Sequence, residues 1–145
     1  MEEVEITEVY SGDIDRHKRR NDTEFARETG FPSPARDHYE RPLSLDEHLI
    51  HRPSATFFMR IKGDNMRKDG IHSDDILGVD RSIEPANGHL VVVFLNGEQK
   101  IRRLERLNGN LYFCCSDESE KNIAVSNDLD HSIWGVVSYT IHKRI

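Results

Sequence analysis

Long apolar runs are missing from this chain. The longest, Leu90-Val91-Val92-Val93-Phe94-Leu95, has six residues, which suits a buried strand, whereas a membrane helix needs about 20. No membrane association is expected. Cysteine is scarce as well, with only the adjacent pair Cys114 and Cys115. Neighbours on a strand point to opposite faces, so no bridge between them is expected, and the reading is one buried and one exposed thiol in a reducing compartment. Positive charge is also short: 20 Lys and Arg against 26 Asp and Glu leave a net charge of -6. Duplex affinity comes largely from clustered cations, so direct nucleic-acid binding is not expected. Met1-Glu2-Glu3-Val4-Glu5 has neither a basic n-region nor an apolar h-region, which argues against a secretory signal. A cytoplasmic location follows as the expectation.

Hydrophobic residues make up 36% of the chain and charged ones 32%, enough for one lean core with a solvated segment beside it. Residues 1–28 carry nine acidic and five basic residues, including the run Arg16-His17-Lys18-Arg19-Arg20, and few large apolar ones. They read as a flexible N-terminal arm. Residues 29–145 read as the folded domain. Gly30-Phe31-Pro32-Ser33-Pro34 begins it with two prolines in three residues, which favours extended or turning backbone.

Ser44-Leu45-Asp46-Glu47 is a capping box, so a short helix is predicted over 44–50, with Leu45, Leu49 and Ile50 on one face and Pro53 beyond its end. Strands are predicted over 55–61, 75–80, 90–95, 99–105, 111–115 and 133–141. Asn96-Gly97 is the strongest short-range hairpin signal. Ile133–Ile141 reads as an apolar strand whose edge could pair with a second copy. The outcome is a mostly β core with one or two short helices.

Gly63-Asp64-Asn65-Met66, followed in a later strand by Gly97-Glu98-Gln99-Lys100-Ile101-Arg102-Arg103-Leu104, resembles the active-site segments of the LexA/UmuD family of self-cleaving serine peptidases. The resemblance extends, in order, through Gly30-Phe31-Pro32-Ser33-Pro34, His51 to Phe58, Asp75 to Asp80 and Trp134-Gly135-Val136-Val137. It covers residues 29–145 and is nearest to the UmuD branch. It implies a twisted β core like the LexA/UmuD C-terminal domain, with an extended N-terminal arm.

The family usually has Ser where Asn65 stands and Lys where Arg102 stands. The Ser attacks a peptide bond of the arm, and the Lys must be neutral to take its proton. An amide is not a nucleophile, and a guanidinium is never neutral in a protein. Asn65 and Arg102 are therefore read as relics of the dyad, and Thr29-Gly30 as the relic scissile bond. A buried Arg102 would have to reach solvent or pair with a carboxylate such as Asp64 or Glu98. Lys100, two residues away, shares its strand face but has no serine to activate.

By resemblance the chain is expected to be a non-cleaving accessory or regulator of the SOS response and error-prone (translesion) DNA repair, acting by protein–protein binding. The implied partners are a second copy or an active UmuD-like subunit, the RecA filament and a UmuC-type DNA polymerase. The alternatives are residual self-cleavage and a phage or plasmid decoy that blocks RecA or UmuD. No cofactor and no metal is expected: His48 and His51 are spaced for zinc but lack further ligands.

Overall fold

The computed structural model describes residues 1–13 and 42–145. Its frame is one eight-stranded, wholly antiparallel sheet. The strands are β1 (Glu5–Ser11), β2 (Thr56–Lys62), β3 (Ile76–Asp80), β4 (Leu90–Leu95), β5 (Glu98–Leu107), β6 (Asn110–Cys114), β7 (Ile123–Ala124) and β8 (His131–Ile141). Their spatial order is β1-β2-β3-β8-β4-β5-β6-β7. The one α-helix among the described residues, α1 (Leu45–Leu49), starts at Ser44, whose hydroxyl accepts the Glu47 N–H at 3.4 Å. No residue of α1 is buried, and Leu45 is exposed. The expected apolar face is thus a capped turn with little to pack against.

Turn chemistry sets the register of the β4–β6 meander. Asn96 and Gly97 have φ of 51° and 83°, the paired positive values a two-residue hairpin needs to match strand twist. Asn108-Gly109 repeats the device between β5 and β6, with φ of 52° and 83°. Asn108-Gly109 is the same turn signal as Asn96-Gly97.

The core lies on both faces of the sheet. Along β4, Val92 joins one cluster with Val4, Met59, Ile61, Met66, Leu77 and Ile101. Its neighbours Val91, Val93 and Leu95 join another with Leu104, Phe113 and Val136. The alternation along a strand that is buried on both sides explains why its sequence is uninterrupted apolar.

Two expectations change. Ile133–Ile141 is not a free edge: β8 is hydrogen-bonded to β3 on one side and β4 on the other, so its backbone groups are already used. Nor are the first 13 residues a solvated arm. β1 pairs with β2, from Glu5 opposite Lys62 to Ser11 opposite Phe57, with a register shift between Ile6 and Glu8, and Val4 is 1% exposed. The remainder of the expected arm, with Arg16–Arg20 and Thr29-Gly30, lies outside the described residues.

Candidate functional site

A close backbone approach builds the site. β2 ends at Lys62, and Gly63 turns the chain with φ of 115° into Asp64 and Asn65. The segment Glu2–Val4 runs against this turn. Asp64 and Asn65 each donate their backbone N–H to the Glu2 carbonyl at 3.0 Å, and Glu2 donates its own to Asp64 Oδ1 at 2.7 Å. A Cβ on Gly63 would stand 2.7 Å from Val4 Cα, and closer still to the Glu3 carbonyl oxygen. Only glycine combines this φ with such contact.

This threading delivers the Glu3 carboxylate to Asn65 and Arg102. Asn65 is 1% exposed. Its side-chain carbonyl accepts the Val4 N–H at 2.9 Å, and its amide nitrogen donates to Glu3 Oε2. Arg102, on β5, is 2% exposed. Its Nη1 donates to Glu3 Oε1 at 2.8 Å and its Nη2 to Oε2 at 3.2 Å, the two-pronged geometry that suits a carboxylate. Nη1 also donates to the Ile101 carbonyl at 2.9 Å. The Asn65 carbonyl is in turn held by the Cys115 thiol and the Asp117 N–H, each at 3.1 Å.

Asn65 and Arg102 thus share one carboxylate, contributed by a residue 62 positions from one and 99 from the other. The partners expected for Arg102 are engaged elsewhere. Asp64 binds the Glu2 N–H, and Glu98 lies 3.6 Å from Lys100. Glu3 does not stand out in a segment that reads as a flexible arm. The available signal was the alternation Glu3-Val4-Glu5-Ile6, a strand pattern. An amide, a guanidinium and a carboxylate together form hydrogen bonds and an ion pair.

The surrounding wall is polar and mostly paired. Arg103 contacts Asp69 at 2.5 Å and Glu105 at 3.0 Å. Burial works against its charge, but the two carboxylates outweigh it and hold Arg103 above its ordinary range. Cys114 and Cys115 are both buried, not one in and one out, because Cys115 follows the end of β6 and turns in toward Asn65. Burial pushes both thiols up. His48 and His51 are exposed, and the His48 ring lies 5.9 Å from that of Tyr139. A second group of donors, His72, Asp75 and His142, converges at the far ends of β3 and β8, and the sequence reading did not single it out. Among the described residues, no helix is long and apolar enough to cross a membrane.

The model of the Peptidase S24-like family matches residues 26–138. Protein ImpA of Salmonella typhimurium is 36% identical over 116 residues, covering 80% of this chain and 79% of that protein. Protein MucA of Escherichia coli is 36% identical over 113 residues, covering 77% of each. The LexA repressor of Bordetella parapertussis is 32% identical over 107 residues, covering 74% of this chain and 49% of the repressor.

Proposed function

The chain belongs to the Peptidase S24-like (LexA/UmuD) family, and on that premise we propose that it is a UmuD-like protein that does not cut itself. It acts through protein–protein binding as an accessory or regulator of the SOS response and error-prone DNA repair. The observation that carries this reading is the Glu3 carboxylate seated on Asn65 and Arg102. At the positions where the family has Ser and Lys, this chain has an amide that cannot attack and a cation that cannot take a proton. Its own residues 2–4 occupy the same place. The partners this reading assigns are a second copy or an active UmuD-like subunit, the RecA filament and a UmuC-type polymerase, in the cytoplasm. Thr29-Gly30 stays intact in cis.

Intact mass tests the first half. After prolonged incubation at alkaline pH with RecA, nucleotide and single-stranded DNA, the mass is expected to be unchanged, and unchanged again in Asn65→Ser alone, which still lacks a base. A fragment beginning at Gly30 would refute it. For the regulatory half, co-expression with an active UmuD is expected to lower damage-induced mutation frequency, because mixed dimers would contain one subunit that stays uncut. Unchanged or raised frequency, with the protein shown to be present, removes the inhibitory role.

A further inference from the structure

Away from Asn65 and Arg102, three metal-ligating side chains converge from two parts of the chain. Asp75 directly precedes β3, His142 directly follows β8, and His72 sits in the turn that leads into Asp75. Their ligand atoms all lie within 4.8 Å of one another. His142 Nδ1 is 2.6 Å from Asp75 Oδ1, and His72 Nδ1 is 3.8 Å from Asp75 Oδ2. The two imidazole rings stand 4.8 Å apart, centroid to centroid.

We propose that His72, Asp75 and His142 bind a divalent transition-metal cation of the zinc class, with two imidazoles and one carboxylate as protein ligands and water completing the shell.

Four observations carry it. The donor set is one that zinc-class ions take. The spacing is of the right order: ligands about 2.0–2.1 Å from a tetrahedral ion stand about 3.3 Å apart, the two imidazole nitrogens lie 2.6 Å from Asp75 Oδ1 and 3.8 Å from Asp75 Oδ2, and the ligand atoms all lie within 4.8 Å of one another. His72 Nδ1 is buried and has no hydrogen-bond partner among the described residues, which calls for an explanation, and a cation beside the carboxylate supplies one. Finally, the Asp75 side chain is 1% exposed. A buried carboxylate needs compensation, and the contacts described for it are two imidazoles and one backbone N–H, with no full positive charge among them.

The carboxylate is also held in place before any ion arrives. Asp75 Oδ2 accepts the His72 N–H at 2.8 Å, and the Asp75 N–H donates to the His72 carbonyl at 3.1 Å. Such outer contacts fix ligand orientation. The consequence reaches the Asn65 turn. The same 72–75 loop braces the end of β2, with Asp74 N–H on the Ile61 carbonyl at 2.9 Å and Ser73 Oγ accepting the Gly63 N–H at 3.3 Å. A bound ion would staple the residue after β8 to that brace.

Cobalt(II) titration of the intact, chelator-treated protein tests this. One equivalent is expected to bind with a visible ligand-field band, to be displaced by zinc, and to raise the melting temperature. His142→Ala and His72→Ala should each weaken cobalt at least about tenfold. The double variant His48→Ala/His51→Ala should bind as the parent does. Circular dichroism checks that each variant is folded, and His142, past the last strand and half exposed, is the variant most tolerant of change. Absence of saturable cobalt binding overturns the proposal. So does binding that survives both His142→Ala and His72→Ala, or binding that disappears with His48 and His51.

Discussion

Replacing Glu3 with Gln is expected to destabilise the protein by about 3 kcal/mol, the lower end of the range for breaking a buried ion pair. The substitution keeps the shape and removes the charge. Arg102 has a side chain 3% exposed, whereas Glu3 keeps 31%, which is why the lower end applies. The guanidinium cannot shed its proton and has no other carboxylate within reach among the contacts described, so it must stay buried uncompensated or drag the β5 backbone outward. For a chain of this size the loss corresponds to a fall in melting temperature of roughly 10 °C. Chemical denaturation measures it directly. The double variant Glu3→Gln/Arg102→Met should be less damaged than the sum of the two singles by at least about 1 kcal/mol, because the second change removes the stranded charge. A Glu3→Gln protein as stable as the parent would mean that the ion pair does not hold residues 2–4 on the body.

Gly63→Ala is expected to release residues 2–4 while the rest of the sheet stays folded. The new methyl group meets Val4 Cα at 2.7 Å and the Glu3 carbonyl more closely, and the residue must also hold φ of 115°. Neither obstacle yields to a side-chain rotation, because both neighbours are backbone. Backbone strain of this kind costs about 1–3 kcal/mol. The segment leaving the turn also gives up the bonds from Val4 to Asn65 and from Glu2 to Asp64. Local opening easier by about 3 kcal/mol means roughly hundredfold faster exchange. Hydrogen exchange should therefore quicken at Val4 and Asn65, with the β4 and β8 amides unchanged. Equal protection at Val4 in parent and variant would show that the backbone can re-route around the methyl group.

The two predictions are linked by a feature the sequence reading put in the wrong place. Residues 1–28 read as one arm because their mean composition is polar and acidic. Composition averages over a segment, whereas docking depends on a few residues in alternation. Val4 enters the core and Ile6 packs against it, which anchors β1 to β2 by backbone pairing although its other side chains stay exposed. The placement of Arg102 followed the same pattern. That Arg102 must reach solvent or pair with a carboxylate follows from its charge, but the carboxylates named for it are Asp64 and Glu98, and the residue that reaches it is 99 positions away.

What the sequence determined by itself is local or family-wide. The β4–β5 hairpin follows from Asn96-Gly97, because few other pairs accept two positive φ values, and the start of α1 follows from Ser44. The ordered landmarks from Gly30 to Val137 determined the family, since many weak matches in the right order constrain more than any one of them. Tertiary structure decided the rest. It set β8 between β3 and β4 and so removed the expected free edge, laid Glu3 across Asn65 and Arg102, and gathered His72, Asp75 and His142. Each of these depends on pairing between residues far apart in the chain. Such contacts form only after loops have closed at a cost in conformational entropy, and local residue patterns carry no record of which distant strand will arrive.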